Sequence, residues 1–96
     1  MVRPQRPRRL FFQPDIFYFK PQGVPLRFLQ QVDLKPDEIE AIKLHNVDNL
    51  THQQAAHAMA VSQPTFTRIL NRANRKIAKA LIYGYAIRIE TKSTPP

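Results

Sequence analysis

Thr51–Leu81, THQQAAHAMAVSQPTFTRILNRANRKIAKAL, reads as two helices joined by a tight turn, the second unusually basic. Thr51 followed three residues later by Gln54 is a capping box, in which the hydroxyl and the amide satisfy helix amides that lack a partner. A short helix then carries Ala55, Ala56 and Met59 inward, and its two central alanines permit close approach of the next helix. Ala60-Val61 is expected to make the turn with Val61 buried. Ser62 caps the second helix, and Pro64 is tolerated in its first turn.

That second helix carries the clearest periodicity in the chain. At ~100° per residue, Phe66, Ile69, Leu70, Ala73, Ile77, Ala80 and Leu81 fall within an arc of about 120°, which predicts one buried face. Arg68, Arg72, Arg75 and Lys79 cluster on the opposite side, and no acid interrupts Ser62–Leu81. The expected outward face is a continuous positive stripe, since no acids at helical spacing offset it.

Towards the N-terminus, Pro36 suits the start of a preceding helix. Asp37, Glu38 and Glu40 follow in its first turn, where carboxylates complement the positive end of the helix dipole. This helix is expected to run to about Val47, with Ile39, Ala41, Ile42, Leu44 and Val47 as its apolar contacts. With Asp33 and Asp48 it gathers five of the chain's seven acids, so it is not expected to face a polyanion. Towards the C-terminus, Gly84 is a natural helix cap. Tyr85, Ile87 and Ile89 then alternate with Ala86, Arg88 and Glu90 at the period of a half-buried strand, which needs a partner in Leu10–Phe12 or Ile16–Phe19.

Residues 1–9 interleave Arg3, Arg6, Arg8 and Arg9 with Pro4 and Pro7, which predicts an extended basic arm. Such an arm tracks phosphates or enters a minor groove, or else it is a disordered, solubilising terminus. Leu10-Phe11-Phe12 and Ile16-Phe17-Tyr18-Phe19 have strand character, with a turn at Gln13-Pro14-Asp15. Pro21–Pro25 is a connector, and Leu26–Val32 is read as one or two helical turns. Residues 10–90 thus form a single domain, and 91–96 a polar tail.

A chain of 96 residues with 43% hydrophobic content supports one modest core. Fifteen Lys and Arg against seven Asp and Glu give a formal charge of +8, which favours a polyanionic partner. Without cysteine there is no disulfide framework, no thiolate metal site and no cysteine nucleophile. Arg8-Arg9-Leu10-Phe11-Phe12 looks like a twin-arginine export pattern, but Gln13, Pro14 and Asp15 interrupt it at once. A cytoplasmic protein with no membrane partner is expected. His45, His52 and His57 lack a metal-ligand partner set and are read as ordinary surface residues. With no phosphate-binding glycine loop and no nucleophile beside a base, no enzyme activity, catalytic residue, metal or cofactor is expected.

From Leu34 to Leu81 the pattern resembles region four of bacterial sigma factors and related helix-turn-helix regulators. The likeness rests on Pro36-Asp37-Glu38, Leu50-Thr51, Ala55-Ala56, Val61-Ser62-Gln63-Pro64-Thr65-Phe66 and Arg72-Ala73. With the Arg-Pro arm and the segment Phe19-Lys20-Pro21-Gln22-Gly23-Val24-Pro25-Leu26 added, the whole chain resembles the domain of unknown function 134 family, small prokaryotic proteins predicted to bind DNA. The fold this implies is mainly α: a helix-turn-helix helical bundle with an extended basic N-terminal arm and short β-strands near both termini. Ala60 departs from the pattern, standing where such turns usually have glycine, and would be strained at positive φ. Some relatives carry a further domain similar to nitrogenase iron-molybdenum cofactor proteins, which these 96 residues are expected not to include.

The resemblance implies transcriptional regulation. In a helix-turn-helix the second helix lies in the major groove. Gln63, Thr67, Arg68 and Asn71 are then the expected base contacts, Gln and Asn pairing with adenine and Arg with guanine. Ser62, Thr65, Arg72, Arg75 and Lys79 are the expected phosphate contacts, and a homodimer on paired half-sites is the expected assembly. Two other readings stay open. One is RNA or single-stranded nucleic-acid binding through Phe11, Phe12, Phe17 and Tyr18; the other is an adaptor for an acidic protein surface.

Overall fold

A computed structural model of the chain describes residues 16–90. It is mostly helical, with a small three-stranded sheet. Strand β1, Ile16–Phe19, leads through a 3₁₀ turn at Leu26–Phe28 to strand β2, Gln31–Leu34. Three helices follow: α1 (Pro36–Ala41), α2 (His52–Met59) and α3 (Gln63–Tyr83). Strand β3, Ala86–Glu90, closes the described chain.

β3 lies at the centre of the sheet, in the order β1-β3-β2. It runs antiparallel to β1, with Phe17 opposite Ile89 and Phe19 opposite Ile87, and parallel to β2, with Val32 opposite Ile87 and Leu34 opposite Ile89. Cross-strand partners share a face, so Phe17, Phe19, Val32, Leu34, Ile87 and Ile89 form one apolar side. The expected pairing of the C-terminal strand with Ile16–Phe19 is present; Leu10–Phe12 lies outside the described residues. β2 corrects the reading of Leu26–Val32 as helical turns. Only Leu26–Phe28 turns, because Val32 and Leu34 gain apolar neighbours beside Ile87 and Ile89 that a helix here would forgo.

Each helix begins and ends for a local reason. α1 starts at Pro36, and the Glu38 carboxylate accepts the Lys35 backbone N–H at 2.9 Å, satisfying an amide at the helix entrance. The helical path continues to Val47 as expected, but Ile42–Val47 is a π-helix, which the sequence pattern did not indicate. Its exit is an Asn49 in the left-handed region at φ 64°. α2 opens on the expected capping box, with Gln54 N–H donating to Thr51 Oγ1 at 3.0 Å and Thr51 N–H to Gln54 Oε1 at 2.9 Å. It ends at Ala60, whose φ of 59° is the left-handed conformation that glycine adopts without cost. α3 is capped by Ser62, which accepts the Thr65 N–H at 3.2 Å, and terminates at Gly84, φ 74°.

Ala41, Ala55, Ala56, Phe66, Ile69 and Leu70 form the buried cluster where the three helices meet. Phe66 is fully enclosed, and the flanking alanines let the helices close around its ring. Leu34, Ala80 and Ala86 are buried towards the sheet. Val61, expected to be buried, is half-buried. Leu81 corrects the expected inner face of α3: it is 74% exposed, together with Ile82 and Tyr83, because beyond Ala80 the helix borders an open pocket shared with Phe19, Pro21 and Tyr85 instead of a packed neighbour. No helix of the described residues is long and apolar enough to cross a membrane.

Candidate nucleic-acid interface

α3 places its cap and first turns at the exit of the short Ala60-Val61-Ser62 turn. Gln63 is exposed at its first position, and Arg68 and Asn71 are exposed further along. Arg68 is steered by its neighbour, its Nη2 donating to Thr65 Oγ1 at 3.2 Å. Thr65 is half-buried, and its Oγ1 also accepts from Ser62 Oγ at 2.9 Å, so Ser62 and Thr65 are engaged in the cap itself. Arg75 and Lys79 continue the exposed basic side of the helix. Among the described residues no carboxylate lies within ion-pair distance of Arg68, Arg75 or Lys79. Arg3, Arg6, Arg8 and Arg9 of the arm lie outside the described residues.

Thr67 does not join this face. It is half-buried, and its hydroxyl lies 2.9 Å from His52 Nδ1 on α2. The His52 ring in turn meets Phe66 edge-on at 5.5 Å and His45 edge-on at 4.7 Å. His45 Nδ1 hydrogen-bonds the Leu50 carbonyl oxygen at 2.8 Å, which assigns its proton to Nδ1, since a carbonyl only accepts. His45 and His52 are therefore half-buried members of the packing between the π-turns, α2 and α3, a correction to their reading as surface residues. Only His57 of the three is exposed.

Arg72 is also placed differently from a free phosphate contact. Its Nε donates to Glu38 Oε2, and its Nη2 stands 3.7 Å from Asp37 Oδ2. Lys76 donates to the other Glu38 oxygen at 2.8 Å and to the Asp33 main-chain carbonyl at 2.7 Å. Glu38 is fully enclosed. Burial alone pushes its carboxyl up, but the hydrogen bonds from Lys76, the Lys35 amide and Arg72 outweigh that and hold it below the ordinary carboxylate value. The Arg72 guanidinium is held above its ordinary value chiefly by the bond to Glu38. The stripe is thus not continuous: α1 supplies, from another element, the acids that α3 lacks.

In the sequence, Glu38 is legible only as a partner of its own helix dipole, and Lys76 only as one more cation of a basic helix. The one local signal was the position of Glu38 two residues after Pro36, where a carboxylate can turn back on its own helix entrance. Nothing local announced the two cations that meet it. Of the rings nominated for stacking, Phe17 is half-buried in β1 and Tyr18 is exposed beside it, while Phe11 and Phe12 lie outside the described residues.

The family described as "Protein of unknown function DUF134" matches residues 1–93. Relatives named UPF0251 protein include one from Halothermothrix orenii, 48% identical over 94% of this chain and 67% of its own length. Another, from Desulfosudis oleivorans, is 46% identical over 94% of this chain and 65% of its own length. A third, from Moorella thermoacetica, is 50% identical over 94% of this chain and 60% of its own length. The chain therefore spans about two thirds of the length of these curated relatives. No solved structure matches it. The chain belongs to the DUF134 family, as the resemblance in its sequence implied.

Proposed function

We propose that this member of the DUF134 family binds duplex DNA sequence-specifically as a transcriptional regulator. α2 and α3 act as a helix-turn-helix, and α3 enters the major groove from Gln63 onward. The observation that carries this reading is the division of labour along α3. Gln63, Arg68 and Asn71 stand exposed near its capped end with Arg75 and Lys79 beyond them, and the same helix contains no carboxylate. The amide groups and the Arg68 guanidinium have the donor and acceptor patterns that read adenine and guanine edges, while Arg75 and Lys79 are suited to phosphates.

Phosphate affinity comes from a chain of formal charge +8 acting in the cytoplasm, and the N-terminal arginines extend the contact. A homodimer reading two half-sites supplies the specificity that one short helix lacks. Selection of bound fragments from random duplex DNA tests the reading and yields the half-site spacing. Enrichment of one motif is the expected result. Equal affinity for scrambled duplexes, or a preference for RNA that depends on Tyr18, overturns it.

A further inference from the structure

The described surface has a second feature, at the end of α3 remote from Gln63. Leu81, Ile82 and Tyr83 are 74%, 76% and 64% exposed, and Phe19, at the end of β1, is 65% exposed. Phe19 and Leu81 share the wall of a pocket of about 280 Å³ with Pro21, Tyr85 and Ile87. The Tyr83 and Tyr85 rings lie 5.6 Å apart, so the apolar surface continues from the pocket around the helix end. Isolated exposed apolar residues are ordinary on protein surfaces; a contiguous set around an open pocket marks an interaction site.

We infer that this apolar end is where a second copy of the chain docks, about a twofold axis. Three observations select a second copy over another partner. β1 stands at one edge of the sheet, and among the described residues no strand pairs its outer side. Its sequence, Ile-Phe-Tyr-Phe, lacks the charges and proline that discourage edge pairing, whereas the opposite edge strand, β2, carries Asp33. An uncharged edge strand is a template for another strand, which a twofold axis supplies antiparallel from a second copy, and an isologous contact uses the same patch twice, the pocket of one protomer receiving apolar side chains of the other.

Charge makes the same selection. An acidic partner is drawn to Arg68, Arg75 and Lys79, while two chains of formal charge +8 associate with least repulsion through a face that carries little charge. The pocket contains no acid, and its one ammonium, Lys20, is turned to the Val24 carbonyl at 2.7 Å. Phe19, Leu81, Ile82 and Tyr83, the large apolar side chains left exposed at this end, supply the apolar area of the contact.

Sedimentation velocity of the full chain without nucleic acid, from low to high micromolar concentration, tests the proposal independently of DNA binding. The wild type is expected to sediment as a dimer at the upper end. Ile82→Glu, at a position too exposed to disturb the core, is expected to weaken the dimer tenfold or more with an unchanged circular dichroism spectrum, and Phe19→Asp to do the same from the strand side. A monomer at every concentration overturns the proposal; if deletion of residues 1–15 then permits dimerisation, the occupant of the patch is the chain's own N-terminal segment. A dimer that neither substitution weakens also overturns it, because the contact then lies elsewhere.

Discussion

Lys76 donates to Glu38 at 2.8 Å across 38 positions of sequence. Its second bond, to the Asp33 carbonyl, ties the same ammonium to β2. One side chain of α3 thus fixes α1 and the sheet, and through Glu38 it shares a carboxylate with Arg72. A buried carboxylate whose oxygens are satisfied by cations of the facing helix holds α3 in one register against α1.

Glu38→Gln keeps the shape of the side chain and removes its charge. The expected loss is about 1.5–3 kcal/mol at neutral pH, the worth of hydrogen bonds to a charged group. The pH dependence has a definite sign. Because the folded carboxyl lies below the ordinary value of 4.5, its stabilisation is complete above that value and is lost as pH falls through the folded value. Urea unfolding across the acid range should therefore bring wild type and variant closer together as pH drops. Curves that stay parallel contradict the linkage.

Arg72 and Arg75 should differ although both are exposed cations of α3. Arg75→Ala is expected to lower the slope of log affinity against log salt for duplex DNA by about one unit. Arg72→Ala is expected to lower it by less, because Glu38 and Asp37 already pair with that charge, and to reduce stability instead. Binding titrations at several salt concentrations, with unfolding measured in parallel, separate the two. Equal slopes for both variants would show that Arg72 meets phosphate as freely as Arg75.

Arg68 and Thr67 are adjacent in sequence and face different surroundings. Arg68→Ala should cost about 1–3 kcal/mol of discrimination at one base pair. Thr67→Val, which removes the hydroxyl paired with His52, should leave the selected motif unchanged and cost about 1 kcal/mol of stability. Motif selection repeated with each variant decides it. A motif altered by Thr67→Val would return that residue to the interface.

Ala60 occupies the left-handed region at φ 59°. An L-residue there carries a cost of about 1–2 kcal/mol, part of which glycine returns through its greater freedom when unfolded. Ala60→Gly is therefore expected to raise stability by about 0.5–1 kcal/mol in urea unfolding. A loss of stability would mean that the methyl group contributes packing that outweighs the backbone strain.

Local rules made much of this fold legible. The capping box at Thr51, the Ser62 cap, Pro36 and Gly84 each act within a few residues, so the three helix starts and the end of α3 could be read from the chain. The apolar period of α3 also identified Phe66, Ile69, Leu70, Ala73 and Ala80 as buried. It failed at Leu81, because periodicity gives the direction of a side chain but not whether a neighbour reaches that far. The π-turns at Ile42–Val47 left no such trace, since a shift from i→i−4 to i→i−5 bonding depends on how the last turns dock.

By itself, then, the sequence determined the order and caps of the helices, the inward ring of Phe66, the absence of acids from α3 and its family. Tertiary structure alone decided which charges remain available. Glu38 and Asp37 come from α1, 34 or more positions from their cations, and whether they meet Arg72 and Lys76 depends on how α1 lies against α3. The same packing turned Thr67 towards His52 and brought β2 beside β3. Capping and periodicity are interactions between near neighbours and are written in the order of residues, whereas ion pairing and strand pairing between distant segments exist only once the core around Phe66 has closed.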